Sequence, residues 1–340
     1  MQLTCEILTV HTTHPFIIAR GGTSEYRVVW VKLRDSDGVE GWGEAAPSRF
    51  YGESADSVML AVQSFAPLLE NADAWSIEAI ERSLETSLRW NAAARCAVSA
   101  ALHDLQGKRL GVPLWKLWGL DRAAAAQSSF TIGIAPDEET LRARVREASA
   151  YPILKVKLGS NRDAENLRIV RKEAPTSVLR VDANSAWNAK LAIQMMDTLV
   201  QCGVEMLEQP VPAHDLAGLK FIRNRSPIPV FADESCLVAT DIPRLADCVD
   251  GVNIKLAKCG SLREALRMIS VARAHGLRVM CGCMIETTLG IAAAAHFSPL
   301  LDYADLDGAA LLSDDPFAGP GIPNGRITLG DEPGLGVTKR

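Results

Sequence analysis

The chain has 340 residues, 48% of them hydrophobic and 23% charged, with 36 Lys and Arg against 41 Asp and Glu. The formal net charge of −5 and the lack of any Lys/Arg run argue against nucleic acid as a partner. No apolar run approaches the roughly 18 residues of a membrane-spanning helix, and segment 1–10 is too short and polar for a secretory signal, so we expect a cytoplasmic protein without a membrane partner.

The first 120 residues have the pattern of a small α+β domain. Strands of an antiparallel sheet are predicted at residues 2–10, 26–34 and 39–44, with Asp37-Gly38 as a hairpin turn. Helices are predicted at residues 54–70, 76–88 and 91–109. Two segments with Gly and Pro among apolar and Arg residues, at about 14–24 and 47–53, are predicted to be loops that can line a binding site.

A regular alternation of strands and helices follows over residues 121–316. Eight strands are predicted, and their starts recur about every 25 residues: 129–134, 153–158, 178–182, 204–208, 229–233, 252–256, 277–283 and 303–307. One strand, one helix and two loops need about this length, so the pattern predicts a (β/α)8 barrel of the TIM type. Residues 317–340 are rich in Gly and Pro and are predicted to run back over the first domain, which caps the barrel.

Three of the predicted barrel strands end in a carboxylate: Asp182, Glu208 and Asp233. The spacings of 26 and 25 residues place these carboxylates at the same edge of a parallel sheet, which in a barrel is the face that carries active sites. Three hard oxygen ligands without His or Cys suit Mg²⁺ better than Zn²⁺ or copper. We therefore expect one Mg²⁺ per subunit at this position.

Lysines stand in two barrel strands where apolar residues would be expected. Lys155 and Lys157 alternate with apolar neighbours in the second strand, so both point into the barrel, and Lys255 has the matching position in the sixth strand. The second and sixth strands are opposite each other in a ring of eight, so Lys157 and Lys255 flank whatever lies between them. A nearby lysine and a divalent cation are expected to lower the pKa of such a base, which could then remove a proton next to a metal-bound carboxylate.

The last barrel strand carries two further acids, Asp305 and Asp307, on one face. Together they form an anionic pair that faces the metal across the barrel and could bind a substrate ammonium group. Arg20, in the first predicted loop, is a candidate for binding an acidic substrate side chain, although a structural salt bridge is an alternative. Glu286 is equally compatible with a substrate contact and a backbone hydrogen bond, whereas the positions of Lys258 and Glu234 favour structural roles.

Together these motifs resemble the enolase superfamily, in its muconate-lactonizing subgroup, over essentially the full chain. The resemblance rests on Gly41-x-Gly43-Glu44, residues 97–119, Lys155-x-Lys157, Asp182-Ala183-Asn184, Glu208-Gln209-Pro210, Asp233-Glu234-Ser235 and Asn253-Ile254-Lys255. The pair Asp305-x-Asp307 is similar to that of dipeptide epimerases, and residues 15–21 resemble the specificity loop of L-Ala-D/L-Glu epimerases.

This resemblance implies a modified TIM barrel with a capping domain that carries the specificity loops. It also implies a Mg²⁺-dependent inversion of the α-carbon in the second residue of a dipeptide, by two-base proton transfer through an enediolate. In that family Lys157 and Lys255 would be the acid/base pair, and Asp182, Glu208 and Asp233 would bind Mg²⁺. Lys155 would help to hold the substrate carboxylate. A small dipeptide is then the expected substrate, L-Ala-D/L-Glu from cell-wall peptides the first candidate, and a homo-oligomer the expected assembly.

Other reactions remain open from the sequence. A lyase or cycloisomerase, an o-succinylbenzoate synthase-like enzyme and an acid-sugar dehydratase share the enediolate, and only the substrate decides among them. Asp305 and Asp307 favour the dipeptide, because the substrates of those alternatives have no ammonium group to neutralise. A class I aldolase would not need three metal carboxylates, and a non-catalytic binding barrel would not need opposed lysines.

Overall fold

The computed structural model describes all 340 residues, Met1–Arg340. An antiparallel sheet and four helices form a cap over an eight-stranded parallel sheet, whose own helices lie outside it. Each part has its own hydrophobic core. The core of the cap has 20 buried residues, one of which, Ala257, comes from the barrel, and the core in and around the barrel has 64. No helix is both long and apolar enough to cross a membrane.

The cap begins with three antiparallel strands in the order β1-β2-β3. They are β1 (Gln2–Ile18), β2 (Gly21–Arg34) and β3 (Glu40–Ala45). Its helices are α1 (Ala55–Ser64), α2 (Ala66–Glu70), α3 (Ile77–Ser87) and α4 (Ala92–Leu110), followed by the short α5 (Leu114–Leu117). The sheet and helices predicted for this part are therefore confirmed, with one predicted helix divided into α1 and α2.

The prediction of a loop at residues 14–24 is wrong in its conformation. Strands β1 and β2 continue through this segment as a long hairpin, in which Ile18 pairs with Gly21 and Phe16 with Thr23. Gly21 has a φ of +95°, which favours glycine and permits the tight turn at residues 19–20. The hairpin tip reaches the barrel, where Ile134 donates its backbone N–H to the oxygen of Ile17 at 2.8 Å.

The Gly41-x-Gly43 motif serves packing within the cap. A Cβ atom on Gly43 would lie 2.0 Å from the backbone oxygen of Ala97, and one on Gly41 equally close to that of Ala101. Only glycine therefore lets β3 lie directly against helix α4. Because Glu44 follows this contact at the end of β3, the close packing also fixes where its carboxylate enters the cap–barrel interface.

The barrel strands follow one another in sheet order and are all parallel. They are β4 (Phe130–Ile132), β5 (Ile153–Lys157), β6 (Val178–Asp182), β7 (Val204–Glu208), β8 (Val230–Ala232), β9 (Gly251–Ile254), β10 (Arg278–Gly282) and β11 (Tyr303–Asp305). The helices between them are α6 (Glu138–Glu147), α7 (Asp163–Glu173), α8 (Ala189–Gln201), α9 (Leu216–Arg223), α10 (Ile242–Leu245), α11 (Leu256–Cys259), α12 (Leu262–Ala274) and α13 (Thr288–Ala295).

The sheet closes on itself through its two outer strands. Ser128 forms a parallel bridge with Ala304, and Ser129 donates its backbone N–H to the oxygen of Ala304 at 3.0 Å. The predicted barrel is thus confirmed, and each predicted strand overlaps one that is observed. It is modified at the end, because a 3-10 turn at Gly308–Leu311 follows β11 in place of a helix.

The C-terminal residues return to the cap. Leu335 donates its backbone N–H to the Asp104 carboxylate on α4 at 2.8 Å. The ring of Phe317 packs edge-on against Trp30 of the cap sheet, with 5.1 Å between ring centroids. Phe317–Ala318 and Thr338–Lys339 form a small antiparallel pair, β12 and β13. The segment therefore ties the end of the barrel to the cap.

Candidate active site

Strand register brings the three predicted metal carboxylates together. Asp182 pairs with Lys157 of β5 on one side and with Glu208 of β7 on the other, and Asp233 is the first residue after β8. All three side chains are buried, and each offers an oxygen within 4.8 Å of the others. The register predicted from the 25-residue spacing thus produces a real cluster at the C-terminal edge of the barrel.

This cluster fits Mg²⁺ by the chemistry of its donors. The three ligand groups are carboxylates, without His or Cys, and hard oxygen donors are what Mg²⁺ prefers. Burial and the charge of Asp182 raise the pKa of Glu208 to about 7, which shows the electrostatic cost of placing these acids together. Oxygen Oε2 of Glu208 has no hydrogen bond, although it lies 2.7 Å from the ammonium of Lys155. A bound cation would offset this repulsion.

Apart from Lys157 and Lys255, a further buried side chain donates a hydrogen bond to each carboxylate of the cluster: Asn184 to Asp182 at 3.0 Å, Asn253 to Glu208 at 2.7 Å and Lys258 to Asp233 at 2.6 Å. Such outer partners orient metal ligands. Lys258 also donates to three backbone oxygens, including that of Asp233 at 2.6 Å, so the structural role favoured for it agrees with its contacts. Asn184 and Asn253 belong to two of the motifs identified in the sequence, but the sequence did not indicate which carboxylates they contact.

The backbone is strained next to these ligands. Asn184, Ser185 and Gln209 have positive φ values of 46°, 66° and 34°, which non-glycine residues rarely adopt. The Gln209 side chain accepts the backbone N–H of Asp233 at 2.9 Å, so it links the ends of β7 and β8. Strained backbone held by buried hydrogen bonds is typical of functional sites.

Lys157 and Lys255 lie on opposite sides of the cluster. Lys157 donates to Asp182 at 2.7 Å, and Lys255, which follows β9, donates to Asp233 at 2.8 Å. Strands β5 and β9 are four positions apart in the ring of eight. Both lysines line the same cavity, so a small molecule bound there would have one amino group on each side.

The pKa of Lys255 is dominated by its carboxylate neighbours. Burial alone would lower it, but the charges of Asp233 and Glu208 outweigh burial and raise the pKa well above its usual range. The same balance, with Asp305 as the strongest partner, raises the pKa of Lys155. The carboxylates of the cluster are therefore the counterions of these lysines, and the lowering expected with a divalent cation stays a prediction. A divalent cation bound by them would weaken that effect.

Lys155 lies deeper in the barrel than Lys157. Its ammonium is fully buried, 2.5 Å from Asp305, 2.7 Å from Glu208 and 3.6 Å from Asp182. It is not part of the cavity wall. In this arrangement Lys155 links the metal cluster to Asp305, whereas its predicted contact with a substrate carboxylate stays a prediction.

Asp305 and Asp307 differ in their environments. Burial is outweighed by the charge of Lys155, so the pKa of Asp305 falls to about 2, and Ser129 also donates to it at 2.7 Å. Burial and the charge of Asp305 raise the pKa of Asp307 to about 7, although the backbone N–H of Thr131 donates to it at 2.6 Å. Both acids line the cavity. Asp307 is therefore the member whose charge has no cationic partner.

The cavity between cap and barrel has a volume of about 190 Å³. This is below the usual range for drug-sized ligands and suits a smaller molecule. Its uncharged wall comes mostly from the cap hairpin, the 3-10 turn at Arg49–Tyr51 and the loop after β10: Phe16, Ile18, Tyr26, Tyr51, Met284 and Ile285. Both predicted lining segments thus reach the cavity, whereas Met284 and Ile285 were not anticipated, because nothing in their local sequence marks them.

Arg20 is at the hairpin tip and also lines the cavity. Its Nη1 donates to the backbone oxygen of Asn184 at 2.7 Å and to Glu234 at 2.8 Å, so the structural salt bridge considered above is present. Glu286 accepts the backbone N–H of Met284 at 2.9 Å and is not part of the cavity wall. Its contacts favour the structural alternative.

Comparison with known proteins shows the family. Residues 2–119 match the Mandelate racemase / muconate lactonizing enzyme, N-terminal domain, and residues 137–340 match the Enolase C-terminal domain-like family. An L-Ala-D/L-Glu epimerase of Bacteroides thetaiotaomicron is 40% identical over 100% of this chain and 88% of its own length. One of Escherichia coli is 38% identical over 91% of this chain and 93% of its own.

Solved structures agree with this relationship. The substrate-liganded L-Ala-D/L-Glu epimerase from Bacillus subtilis superposes with a TM-score of 0.95 at 30% identity, covering 100% of this chain and 98% of that one. A dipeptide epimerase from Enterococcus faecalis, complexed with Mg and L-Leu-L-Tyr, gives a TM-score of 0.93 at 30% identity, covering 99% of each chain. With both of its domains matched and its barrel and cap reproduced, the chain belongs to the mandelate racemase/muconate lactonizing enzyme family of the enolase superfamily.

Proposed function

We propose that the protein is a Mg²⁺-dependent dipeptide epimerase that inverts the α-carbon of the second residue, with L-Ala-D/L-Glu as its first candidate substrate. The observation that carries the proposal is the pair Lys157 and Lys255, which faces one small cavity from opposite sides beside a carboxylate cluster suited to Mg²⁺. Relatives with this activity span nearly the whole chain.

Inversion needs two groups on opposite faces of one carbon. One lysine, as the neutral amine, removes the α-proton, and the opposite lysine, as the ammonium, delivers a proton to the other face. The reverse reaction exchanges their roles, so no proton is gained or lost overall. Asp182, Glu208 and Asp233 would hold Mg²⁺, which when bound would stabilise the negative charge that develops on the substrate carboxylate.

Asp305 and Asp307 support a dipeptide as the substrate. They line the cavity at the end of β11, and Asp307 has no cationic partner in the protein. The substrate ammonium would supply that partner. An extended dipeptide spans about 3.3 to 3.6 Å per residue, so its amino end can reach these acids while its carboxylate lies near the metal cluster. An acid-sugar or succinylbenzoate substrate would leave Asp307 unpaired, which disfavours those alternatives.

The test is incubation of L-Ala-L-Glu with the enzyme and Mg²⁺ in D₂O. We expect formation of L-Ala-D-Glu with deuterium at the α-carbon of the second residue, measured by NMR and mass spectrometry. The N-acetylated dipeptide is the matched control, because it retains every group except the ammonium. We expect its kcat/KM to be at least about 100-fold lower on the wild-type enzyme.

The same pair of substrates tests the role of Asp307. In Asp307→Asn the preference for the free over the acetylated dipeptide should largely disappear. Equal kcat/KM for both substrates on the wild-type enzyme would refute the ammonium site. No deuterium incorporation into any member of a dipeptide library would refute the epimerase assignment itself.

The proposal also covers the cellular compartment, the oligomeric state and the domain boundaries. We place the enzyme in the cytoplasm, which its eight free cysteines support. We propose that the protein is a homo-oligomer, which the molar mass measured by size-exclusion chromatography with light scattering would test. We also propose domain boundaries near residues 120 and 316, which limited proteolysis would test.

A further inference from the structure

The guanidinium of Arg20 is held by three parts of the protein. Its Nη1 donates to the Asn184 oxygen at 2.7 Å and to Oε1 of Glu234 at 2.8 Å, and the ring of Phe50 lies 4.2 Å from the guanidinium carbon. Its Nε and Nη2 have no hydrogen-bond partner in the protein. Arg20 therefore presents two nitrogen atoms, with three free N–H groups, from a fixed position at the edge of the cavity.

Glu234 places a negative charge next to that guanidinium. Its side chain is 1% exposed, against 33% for Arg20, and its Oε2 has no hydrogen bond. Glu234 also belongs to the cavity wall. Because the pair is only partly solvated, each charge acts strongly on a third charge nearby. A substrate side chain that approaches Arg20 meets a positive and a negative group together.

We propose that Glu234 sets the charge specificity of the cavity at the second residue of the dipeptide. By neutralising Arg20, it makes this part of the cavity neutral overall, so that uncharged side chains such as Gln are accepted alongside Glu. An acidic side chain gains hydrogen bonds from Nε and Nη2 but is repelled by Glu234. An uncharged side chain leaves no lone charge behind, because Arg20 keeps its protein partner. This inference rests on the proposed epimerase function.

The experiment compares kcat/KM for L-Ala-L-Glu and L-Ala-L-Gln, which have the same shape and differ in charge. On the wild-type enzyme we expect the two values to agree within about tenfold. In Glu234→Gln the amide oxygen can still accept the Arg20 hydrogen bond, while the repulsion is gone. The preference for Glu over Gln should therefore rise at least about tenfold.

Arg20→Met gives an independent measurement. It leaves the charge of Glu234 without its partner, so the preference for Glu over Gln should fall below the wild-type value. The matched control is Glu147→Gln. Glu147 also pairs with the cap hairpin, through His14 at 2.6 Å, but it is not part of the cavity wall. This control should leave the preference unchanged.

An unchanged preference in Glu234→Gln overturns the inference, even if both activities fall together, because a structural role would act on both substrates equally. If Glu234→Gln is inactive, Arg20→Met decides, and an unchanged or increased preference for Glu there overturns the inference too. If the wild-type enzyme epimerises dipeptides but acts on L-Ala-L-Glu far better than on L-Ala-L-Gln, this inference is refuted while the proposed function stands. A wild-type enzyme that epimerises neither of these two substrates but acts on another dipeptide of the library overturns this inference alone. One that acts on no dipeptide refutes the proposed function, and this inference with it.

Discussion

Opposite charges balance almost completely among the buried residues at the centre of the barrel. Five carboxylates face four ammonium groups there: Asp182, Glu208, Asp233, Asp305 and Asp307 against Lys155, Lys157, Lys255 and Lys258. One negative charge is in excess, and a divalent cation would turn it into one positive charge. Loss of one proton from a lysine, which the amine that acts as base requires, would then leave the metal-bound site neutral. Buried charges are stable only when they are paired in this way.

Glu208→Gln should weaken the metal site. The amide offers one neutral oxygen in place of a carboxylate, which leaves two charged ligands for Mg²⁺. We expect at least about 100-fold lower kcat/KM at limiting Mg²⁺, since even changes to outer partners of metal ligands cost 10- to 100-fold. Calorimetric titration with Mg²⁺ should show the same loss without any turnover.

The control for this variant is Glu205→Gln on the same strand. Glu205 pairs with Arg180 at 2.8 Å and does not belong to the carboxylate cluster. Its replacement should leave the affinity for Mg²⁺ unchanged. Full activity of Glu208→Gln at limiting Mg²⁺ would show that the metal assignment is wrong.

Replacing Lys157 or Lys255 singly should abolish epimerisation but leave a different residual exchange activity in each variant. Lys255→Ala removes one face of the proton transfer, so epimerisation should fall at least about 1,000-fold. Lys157 should still exchange the α-proton of one epimer with solvent. NMR in D₂O, started separately from L-Ala-L-Glu and L-Ala-D-Glu, distinguishes the two activities.

Lys157→Ala is the mirror experiment and should retain exchange for the opposite epimer only. The asymmetry follows from the positions of the two amino groups on opposite strands, each paired with its own carboxylate. Unimpaired epimerisation in either single variant would exclude the two-base mechanism.

At the scale of elements, the barrel could be predicted because each strand–helix repeat has a recognisable local sequence pattern. Apolar runs about 25 residues apart indicated all eight strands, and acids at their ends indicated the cluster of Asp182, Glu208 and Asp233. The hairpin at residues 14–24 could not be predicted in the same way. Its Gly and Pro residues are typical of loops, whereas its strand pairing depends on the neighbouring strand and on the contact with Ile134, which follows β4.

The partners of the site residues were also beyond local sequence. Arg20 and Glu234 are separated by 214 positions, and Glu208 and Asn253 by 45. The first contact depends on how the cap lies on the barrel and the second on which side chains meet inside the barrel, and residue spacing encodes neither. The sequence therefore identified the charged groups of the site, while the structure showed which of them are paired and which are free.

Gly43→Ala should destabilise the cap. The added methyl group would lie 2.0 Å from the Ala97 oxygen, so β3 and α4 would have to separate. Forced repacking of this kind typically costs about 1 to 3 kcal/mol. We expect a lower midpoint of thermal unfolding, measured by calorimetry.

Gly321→Ala provides the control for this substitution. A Cβ atom there has no neighbour closer than 3.9 Å, and the residue has no positive φ. Its midpoint should stay close to that of the wild type. Equal stability of both variants would mean that the close approach of β3 and α4 does not require Gly43.

At the scale of the whole molecule, cap and barrel meet at a buried carboxylate pair near the cavity. Glu44 ends the cap sheet and accepts hydrogen bonds from the backbone N–H, at 2.9 Å, and the hydroxyl of Thr287 in the barrel. Glu286 lies beside Glu44, and both carboxylates face Gly290. A Cβ atom added to Gly290 would be 2.8 Å from one oxygen of Glu44 and 2.8 Å from one oxygen of Glu286. Burial, with the charge of Glu286, raises the pKa of Glu44 to about 8, and burial raises that of Glu286 to about 7.

The interface between cap and barrel should therefore contribute less to the free energy of unfolding as the pH rises. A carboxyl group whose pKa is raised on folding binds its proton more tightly in the folded protein than in the unfolded chain. The folded state thus holds protons that the unfolded state has lost, from about pH 4.5 up to pH 8, and stability falls across that window. Glu44→Gln cannot ionise, so its free energy of unfolding should fall less between pH 5 and pH 9, by a difference on the order of a few kcal/mol.

Denaturant unfolding at pH 5, 7 and 9 measures this difference directly. Glu40→Gln on the same strand is the matched control, because Glu40 lies on the cap and contacts Trp42 of its own sheet. It should follow the wild-type pH dependence, while Glu44→Gln should gain stability relative to wild type as the pH rises. The opposite result, in which Glu44→Gln loses most stability at pH 9, would mean that the ionised carboxylate of Glu44 stabilises the contact between cap and barrel.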